Sequence, residues 1–487
     1  MNLKDILGNH KYLIFGSILL IACGLRYLPE AIIVILIGLL TGVAFLEALK
    51  FLMWVGFRQR ESGINIENQP MVSIHLAIHN EPSDIVIETI KSVLNQCYSE
   101  FELIIVDNNT IDASLWKPIE EFCAPLNNVR FFHLSNWPFY KSGALNFARK
   151  VTSQSARYIF IIDADYVLQS KALETAVASI DDSNIALVQF PQAYKCDSTE
   201  HSPILEEFNH FFDYYCFKAN SCYGALATGT LSLISVASLD HVGGWPVNSI
   251  TEDAELGSRL QCAGYDIKYV HRVIGKGIAP IHQSDFYQQR KRWIFGNVQT
   301  LFQYSLNPFR HFRKWISGVA QLTAWANMLG FPILCLFCSL LFFPWLTNNE
   351  IYLISVLSYL SLWIFALSKL GQMVLIHRAS PILALHTFLI HFSSLDIGAF
   401  HWYPVLFGQK RPFIKTNKLI KDSNYNFNLF YPLMHLGLLL FWVMASDFFL
   451  SFSAATFLVL HTVSSLFDCS CRNKEFKNVS TSLKITS

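Results

Sequence analysis

The chain has 487 residues, of which 52% are hydrophobic and only 15% are charged, and its formal net charge is +1. A soluble domain carries about 25% charged residues, so this composition indicates a membrane protein. The near-zero charge argues against a nucleic-acid-binding protein, which would carry a basic stripe. The 11 cysteines follow no framework spacing, which favours reduced thiols facing a cytosol.

Apolar runs flank one long polar stretch of the chain. A membrane-spanning helix needs about 20 mostly apolar residues. Six runs fit or approach this length: Tyr12–Leu25, Ala31–Phe57, Gly318–Leu346, Ile351–Leu370, Leu429–Ala445 and Phe448–Phe467. Polar residues interrupt a seventh run, Leu375–Phe400, which predicts a helix lying in the membrane interface. We therefore expect six crossings.

The apolar runs also predict the domain boundaries. The expected segments are 1–60 with two transmembrane helices, 61–315 as a central domain, 316–370 with a helix pair, 371–428 with the interfacial helix and the segment after it, 429–467 with a second helix pair, and 468–487 as a tail.

Loop charge predicts the orientation in the membrane, because positive residues accumulate on the cytoplasmic side. The short loops Arg26–Glu30, Thr347–Glu350 and Ser446–Asp447 hold a single arginine between them. The opposite side holds most of the other lysines and arginines that lie near the apolar runs. We therefore expect the central domain and both termini to be cytoplasmic.

Short β-rich apolar runs alternate with helical patterns in the central domain. The strand-like runs are Met71–Ile78, Phe101–Val106, Val129–Leu134 and Tyr158–Ile162, and Pro82–Gln96 has apolar residues at helical spacing. This alternation predicts an α/β domain with a mainly parallel sheet. Ligands of such sheets bind beyond the carboxyl ends of the strands.

Carboxylates follow three of these strands. The strand ends read His79-Asn80-Glu81-Pro82, Asp107-Asn108-Asn109-Thr110 and Asp163-Ala164-Asp165. Carboxylates gathered at one sheet edge need a partner, either a metal ion or hydrogen-bond donors from a nucleoside, and Asp-x-Asp suits Mg²⁺ or Mn²⁺. The alternative is that each aspartate is an ordinary turn or N-cap residue. That alternative is the better one for a single site and much the weaker one for three.

Three further motifs bear cations or acids. Lys141 opens a small-residue turn and could hold a phosphate, although an ordinary helix start also fits. In Thr251-Glu252-Asp253, Thr251 could be an N-cap, or Asp253 could be a general base. Gln289-Arg290-Lys291-Arg292-Trp293 joins cations that suit a pyrophosphate to an indole that suits a sugar face. A basic helix attracted to anionic lipid is the alternative for this last motif.

Taken together, these motifs resemble the processive, membrane-integrated inverting glycosyltransferases of family 2, which include cellulose synthase, hyaluronan synthase and bacterial β-glucan synthases. The resemblance runs from about Met71 to Lys418, and the flanking helices agree with it. It implies a GT-A-like cytoplasmic domain that binds a nucleotide sugar and is inserted between transmembrane helices.

The resemblance implies a role for each matching residue on the donor side. Glu81 and Asp107 would contact the uridine of the donor. Lys141 and Asp163 would lie near the diphosphate, and Asp165 would bind Mg²⁺ or Mn²⁺.

It implies further roles around the reacting centre. Gln289 and Arg292 would hold the pyrophosphate, and Asp253 would deprotonate the acceptor hydroxyl. Trp293 would stack on the acceptor sugar, with Glu252 beside it.

A gating loop is also implied by the resemblance, with Phe413, Thr416 and Lys418 closing over the bound donor. The implied function is polymerisation of a sugar from a UDP-sugar, UDP-glucose giving a β-glucan, with export of the product across a bacterial inner membrane, where lipid and accessory export subunits would be partners. The alternatives are transfer of one sugar to a membrane lipid and a non-catalytic channel or scaffold with a degenerate transferase domain.

Overall fold

A computed structural model describes residues 11–56, 69–195, 202–279, 283–378, 380–409 and 429–485. Its central feature is a seven-stranded sheet with the strand order β3-β2-β1-β4-β8-β6-β9. These strands are β1 (Val72–Ile78), β2 (Phe101–Asn108), β3 (Val129–Leu134), β4 (Tyr158–Asp163), β6 (Ile185–Gln189), β8 (Ser232–Ser235) and β9 (Asp266–Tyr269). Only β8 runs antiparallel to its neighbours within this sheet. The mainly parallel α/β sheet predicted from the sequence is therefore confirmed.

The register of the central strands brings their polar ends level with one another. In the parallel pairs of β1, Ile78 lies beside Asp107 and Ala77 lies beside Asp163. Both strands that flank β1 therefore end at the same edge of the sheet, immediately next to the loop that begins at His79. The carboxyl ends of parallel strands form the usual ligand-binding edge of such a sheet.

A second, three-stranded sheet lies beside this edge. It consists of β5 (Val167–Leu168), β10 (Gly275–Gly277) and β7 (Ala193–Tyr194), in that order. Gly277 packs directly under the Tyr166 ring, since a Cβ at this position would lie 2.4 Å from a ring carbon. The small sheet therefore packs against the Asp163–Tyr166 turn.

Helices cover both faces of the large sheet. They are α3 (Ser83–Leu94), α4 (Ala113–Cys123), α5 (Tyr140–Val151), α6 (Ala172–Ala178), α7 (Pro203–His210), α8 (Val236–His241), α9 (Glu252–Cys262) and α10 (Gln283–Gln303). The α7 helix continues into a π-helix, Phe211–Cys216, whose aromatic side chains are buried. Apolar side chains on both faces of the sheet are fully buried, as expected for parallel strands covered on two sides.

The apolar runs outside this domain form helices. They are α1 (Lys11–Tyr27), α2 (Pro29–Gly56), α11 (Phe312–Leu322), α12 (Gly330–Phe342), α13 (Asn348–Ile376), α14 (Pro381–Ser393), α15 (Leu395–Phe400), α16 (Tyr403–Leu406), α17 (Phe430–Met444) and α18 (Phe448–Ile485). Three of them, within α2, α13 and α18, are long and apolar enough to cross a membrane, and a fourth span is possible if the bent pair that starts with α14 counts as one. The α1, α12 and α17 helices are apolar but shorter. The expected total of six crossings stays a prediction.

Two expectations about these runs need correction. The run Gly318–Leu346 does not form one helix, because α11 ends at Leu322 and α12 begins only at Gly330. The run Leu375–Phe400 was expected to be one interfacial helix. It includes the end of α13, then α14, which begins at Pro381, and then α15, and the helices of this last pair are bent by 49° as in a broken span or a re-entrant loop. Proline at a first helical position explains the fresh start of α14.

Buried polar side chains join α2 and α13 to the π-helix of the central domain. Glu47 accepts a hydrogen bond from Lys50 at 2.7 Å and another from Gln372 at 3.2 Å. Lys369 donates to Tyr215 Oη at 2.9 Å, and Tyr215 Oη donates to Gln372 Oε1 at 3.0 Å. Charges buried in this way are stable only when they are paired, so the network holds the helices and the domain in one arrangement.

Replacing Gly296 with alanine tests the close approach of α10 to the chain before α9. A Cβ at Gly296 would lie 2.3 Å from Oγ1 of the buried Thr251, so we expect Gly296→Ala to lower the free energy of unfolding by about 1–3 kcal/mol. Thermal unfolding in detergent measures this change. The control is Gly371→Ala, because a Cβ there meets nothing within 4 Å and helical Gly→Ala should be neutral or stabilising. Equal melting temperatures for both variants would contradict the predicted contact, whereas adding Thr251→Ala, which removes Oγ1, to Gly296→Ala should restore part of the loss.

Candidate active site

A cavity of about 600 Å³ opens at the carboxyl edge of the large sheet. Its walls come from the ends of β1 and β4, the first turns of α5 and α9, and one face of α10. Nine of the residues singled out in the sequence line it: Glu81, Lys141, Asp163, Asp165, Glu252, Asp253, Gln289, Arg292 and Trp293. The fold therefore brings together side chains that lie more than 200 positions apart in the chain.

Lys141 connects two walls of the cavity. Its ammonium donates to Asp163 Oδ1 at 2.5 Å and to the Gly229 carbonyl oxygen at 2.7 Å. Burial alone would lower the pKa of Lys141, but the nearby carboxylates, Asp163 first among them, outweigh burial and raise the pKa above its ordinary value. Lys141 therefore stays protonated and is one of the cations that balance the acidic side of the cavity.

Asp253 lies in the first turn of α9, against the backbone of Gly229. Gly229 has φ +83°, and a Cβ there would lie 3.0 Å from Asp253 Oδ2, so only glycine fits without strain. Burial, with the neighbouring Glu252 carboxylate, raises the pKa of Asp253 to about 7. A carboxylate with this pKa can accept a proton near neutral pH. Thr251 occupies the N-cap position but makes no side-chain capping hydrogen bond, so this motif is not explained by helix capping.

One face of α10 supplies the opposite wall. Gln289, Arg292 and Trp293 have the spacing i, i+3 and i+4, which places them on the same side of the helix. Burial lowers the pKa of Arg292, and the carboxylates of the cavity oppose this shift. Arg290, by contrast, is not among the residues that line the cavity, and it is ion-paired with Glu207. Since the arginines of the motif face the interior, the alternative of a basic helix on a lipid surface does not describe them.

The Asp163-Ala164-Asp165 turn suits a divalent cation. Asp163 is paired with Lys141, and Asp165 Oδ2 accepts a hydrogen bond from the Ile278 amide at 2.9 Å. Within the described residues, no group of three or more His, Cys, Asp or Glu side chains could hold a metal ion by itself. Mg²⁺ commonly uses one or two carboxylates together with substrate phosphates, so the two aspartates fit such an ion.

The Asp107 side chain, which the sequence predicts to contact the nucleoside, is not among those that line the cavity. Its side chain is buried, where Oδ2 is bonded to His133 Nδ1 at 2.6 Å and Oδ1 accepts from Thr110 Oγ1 at 2.5 Å. Thr110 in turn accepts a hydrogen bond from the Asn80 amide at 2.9 Å. Asp107 therefore anchors the loop after β1, because strand β2 carries alternate side chains to opposite faces and Asn108, the next residue, lines the cavity instead.

The loop after β1 is held in an unusual backbone conformation. Asn80 has φ +55°, a conformation that asparagine adopts more readily than most residues, and the Glu81 carboxylate accepts from the His79 amide. His79 Nδ1 is bonded to the Asn108 carbonyl oxygen at 2.6 Å. The three residues thus present a preformed wall at one end of the cavity.

Some residues that line the cavity belong to none of the sequence motifs described above. Gln192, Tyr194 and Thr228 line both the main cavity and a smaller inner pocket of about 50 Å³ beyond it. Gln192 and Tyr194 follow β6, a strand that the apolar pattern Ile185–Gln189 could have revealed. Trp293 and Asp253 also border the inner pocket, which continues toward the aromatic side chains of Phe211 and Trp325.

The gating-loop residues Phe413, Thr416 and Lys418 lie outside the described residues. Among the aromatic and histidine side chains of the apolar part of the chain, Trp325 borders the inner pocket. Trp363 instead donates to Ser453 Oγ at 3.1 Å, and His435 is hydrogen-bonded to Tyr359 Oη at 3.1 Å.

The sheet order, the acidic turn after β4 and the cavity at the carboxyl edge define a GT-A-like glycosyltransferase fold. The family model described as glycosyl transferase family group 2 matches residues 158–409, just over half of the chain. The chain therefore belongs to glycosyltransferase family 2.

Relatives of the chain include two kinds of polysaccharide synthase. A cellulose synthase catalytic subunit [UDP-forming] from Xanthomonas axonopodis pv. citri (strain 306) is 26% identical over 239 residues, which is 47% of this chain and 32% of the relative. A poly-beta-1,6-N-acetyl-D-glucosamine synthase from Staphylococcus epidermidis is 27% identical over 246 residues, which is 48% of this chain and 56% of the relative. Among solved structures, a mannosyltransferase from Pyrobaculum calidifontis in complex with GDP-Man and Mn²⁺ is 16% identical, covers 76% of this chain and 99% of its own, and has a TM-score of 0.49.

Replacing Asp107 with asparagine tests whether this carboxylate is an anchor or a ligand. Asp107→Asn weakens the bonds to His133 and Thr110, so we expect a loss of about 1–3 kcal/mol in the free energy of unfolding and UDP affinity within about threefold of the parent. Thermal unfolding and calorimetric titration with UDP measure the two effects. A large loss of UDP affinity at unchanged stability would instead make Asp107 a direct ligand. Asp240→Asn is a suitable control, because that carboxylate is paired with Arg149 in an exposed ion pair.

Proposed function

We propose that this protein is an inverting glycosyltransferase that adds sugars from a UDP-sugar to a growing polysaccharide and passes the product across the membrane. The observation that carries the proposal is the position of Asp253, whose pKa is raised to about 7, between the main cavity and the inner pocket. A base at this boundary can take a proton from an acceptor in the inner pocket while the donor lies in the main cavity.

The proposed donor site is the main cavity. Glu81 belongs to the wall next to the end of β1, where a nucleoside would lie, and Lys141 and Arg292 supply cationic groups for a diphosphate. The buried Gln289 Oε1 has no hydrogen-bond partner among the described residues. A hydroxyl group of a bound donor would satisfy this atom.

The proposed reaction is a single displacement. Asp253 accepts the proton of the acceptor hydroxyl while that oxygen forms a bond to the anomeric carbon of the donor sugar. The bond from this carbon to the diphosphate oxygen breaks, and UDP leaves with its negative charge facing Lys141 and Arg292. Attack opposite the leaving group inverts the configuration, so an α-linked donor gives a β-linkage.

A divalent cation, Mg²⁺ or Mn²⁺, would be held by Asp165 next to Asp163. When bound, such an ion would neutralise part of the charge on the departing diphosphate. Lys141 is ion-paired with Asp163, and Asp165 is the proposed protein ligand.

The proposed acceptor side is the inner pocket, with Trp293 as the surface on which the sugar packs and Glu252 nearby in the first turn of α9. The location of this pocket next to the apolar helices supports an acceptor that is polymeric or attached to lipid.

A closing role for Phe413, Thr416 and Lys418 belongs to the same proposal. So do the six domain segments, 1–60, 61–315, 316–370, 371–428, 429–467 and 468–487, and the cytoplasmic location of the termini.

UDP-glucose is the proposed donor, which would give a β-glucan. UDP-N-acetylglucosamine is the second candidate, because the synthases of poly-beta-1,6-N-acetyl-D-glucosamine share a larger part of their own length with this chain than the cellulose synthases do. Radiolabelled UDP-glucose, UDP-N-acetylglucosamine and GDP-mannose should be compared on purified protein with Mg²⁺ or Mn²⁺. Polymer formed without added acceptor supports the proposal, a glycolipid formed only with added lipid supports single-sugar transfer, and no nucleotide release from any donor supports the non-catalytic alternative.

Replacing Asp253 with asparagine tests the proposed base. The amide is nearly isosteric but cannot accept the proton, so we expect kcat to fall by roughly 10²–10⁴-fold while UDP affinity stays within a few-fold of the parent. Release of UDP from the accepted donor measures kcat, and calorimetry measures affinity. Asp266→Asn is the control, because Asp266 is paired with Lys314 away from the cavity. Unchanged turnover in Asp253→Asn would remove Asp253 from this role.

The raised pKa of Asp253 also predicts a pH dependence. The carboxylate is the active form, so kcat/KM for the donor should rise about tenfold per pH unit below pH 7 and level off above it. Initial rates between pH 5 and 9 measure this profile, with melting temperatures at each pH to separate unfolding from titration. An acidic limb near the ordinary carboxyl pKa of about 4 would contradict the environment described for Asp253.

A further inference from the structure

Arg290, the second residue of the Gln289–Trp293 motif, is a buried cation that the proposed donor site does not use. Its side chain is 2% exposed and is paired with Glu207 of α7, which is completely buried. The other carboxylate oxygen of Glu207 is bonded to His391 Nδ1 of α14 at 3.1 Å. We call these three residues the Glu207 cluster. It joins the central domain to a helix of the apolar part of the chain.

The guanidinium of Arg290 lies among aromatic rings. Its Cζ is 4.8 Å from the ring centroids of both Trp293 and Trp325, 4.9 Å from that of Phe286 and 5.0 Å from that of Phe208. The two indole rings lie 4.9 Å apart with an interplanar angle of 37°. A cation this close to two rings favours the ring orientations that keep it over their faces.

Both indoles belong to the wall of the inner pocket, next to Asp253. The second indole, Trp325, is held from its own loop between α11 and α12. Asn327 in this loop receives a hydrogen bond from Trp402 Nε1 to its carbonyl oxygen at 2.7 Å, and its own amide donates to the Gly398 carbonyl oxygen at 3.0 Å. Lys369 Nζ donates to the carbonyl oxygen of Ala324 at 3.2 Å.

Stability alone does not account for a charge in this position. A buried ion pair can often be replaced by apolar residues of similar volume without loss of stability. Two of the guanidinium nitrogens of Arg290, Nε and Nη1, have no hydrogen-bond partner among the described residues, so the cation is directed at the rings more than at acceptors. The cluster does fix the relative position and orientation of the two indole rings.

We propose that the Glu207 cluster positions a two-indole acceptor surface, formed by Trp293 and Trp325, for the carbohydrate that reacts at Asp253. Arg290, Glu207 and His391 are positioning residues that touch no substrate, and Trp325 is a second sugar-contacting ring beside Trp293. The proposal rests on the proposed function, since it assigns the inner pocket to the acceptor.

Fluorine NMR of the purified full-length protein, labelled with 5-fluorotryptophan, tests the ring positions directly. The signals of Trp293 and Trp325 are assigned with Trp293→Phe and Trp325→Phe. Arg290→Met keeps the length of the side chain and removes the charge, so these two signals should shift or broaden, while those of tryptophans remote from the cluster stay unchanged. Arg130→Met is the matched control, because Arg130 forms a 2.5 Å ion pair with Glu102 at the distant β3 edge. Unmoved Trp293 and Trp325 signals in Arg290→Met would overturn the proposal.

If Arg290→Met does not fold because Glu207 is left unpaired, the double variant Glu207→Gln/Arg290→Met removes both charges. It is judged by the same two fluorine signals.

The positioning role also predicts that the acceptor KM and the UDP affinity respond differently. With cellotetraose as the acceptor probe and UDP-glucose as the donor, Arg290→Met should raise the acceptor KM about tenfold and leave UDP affinity within about twofold, with partial recovery in Arg290→Lys. A uniform loss in both affinities would indicate a merely structural role and would overturn the proposal.

The two proposals can fail separately. Absence of nucleotide release by the parent protein from any nucleotide sugar would overturn the proposed function. The fluorine signals would still decide whether the Glu207 cluster holds the two indoles.

Discussion

The balance of charge inside the cavity is the constraint on which the rest of the site depends. Asp163, Glu252 and Asp253 lie together in partly buried positions, and such a group of acids is stable only beside compensating cations. Lys141 provides this compensation and also binds the Gly229 carbonyl oxygen, which sets the backbone against Asp253. Burial and the adjacent Glu252 carboxylate nevertheless raise the pKa of Asp253 to about 7, against the opposing effect of Lys141.

The positions of the two arginines on α10 give them different partners. Arg292 is three positions from Gln289 and shares its face, whereas Arg290 is two positions from Arg292, which places the two arginines on nearly opposite sides of the helix with Trp293 between them. As a result, two arginines of one short motif have different partners: the carboxylates of the cavity for Arg292 and the buried Glu207 for Arg290. The motif therefore contributes both to the cavity wall and to the group of aromatic side chains behind that wall.

Buried polar contacts, beside apolar ones, join the central domain to the apolar helices. Lys369 reaches Tyr215 in the π-helix and the carbonyl oxygen of Ala324, next to Trp325. Asn327 ties the same loop to the start of α15 through Leu395 at 3.3 Å. A movement of the apolar helices would therefore act on the inner pocket, because buried hydrogen-bonded charges cannot separate without a large cost in desolvation.

The amino-acid sequence by itself determined the parallel α/β domain, the presence of β1, β2 and β4 with acids near their carboxyl ends, and most of the residues that line the cavity. These features depend on local periodicity and on the rule that parallel strands end at one edge, both of which a single sequence carries. Tertiary structure alone decided that Asp107 is buried and bonded to His133, that Gly318–Leu346 is broken between two helices, and that Gln192, Tyr194 and Trp325 line the inner pocket. The physical reason is that burial, side-chain partners and the approach of distant segments are properties of packing, which adjacent residues in a sequence do not specify.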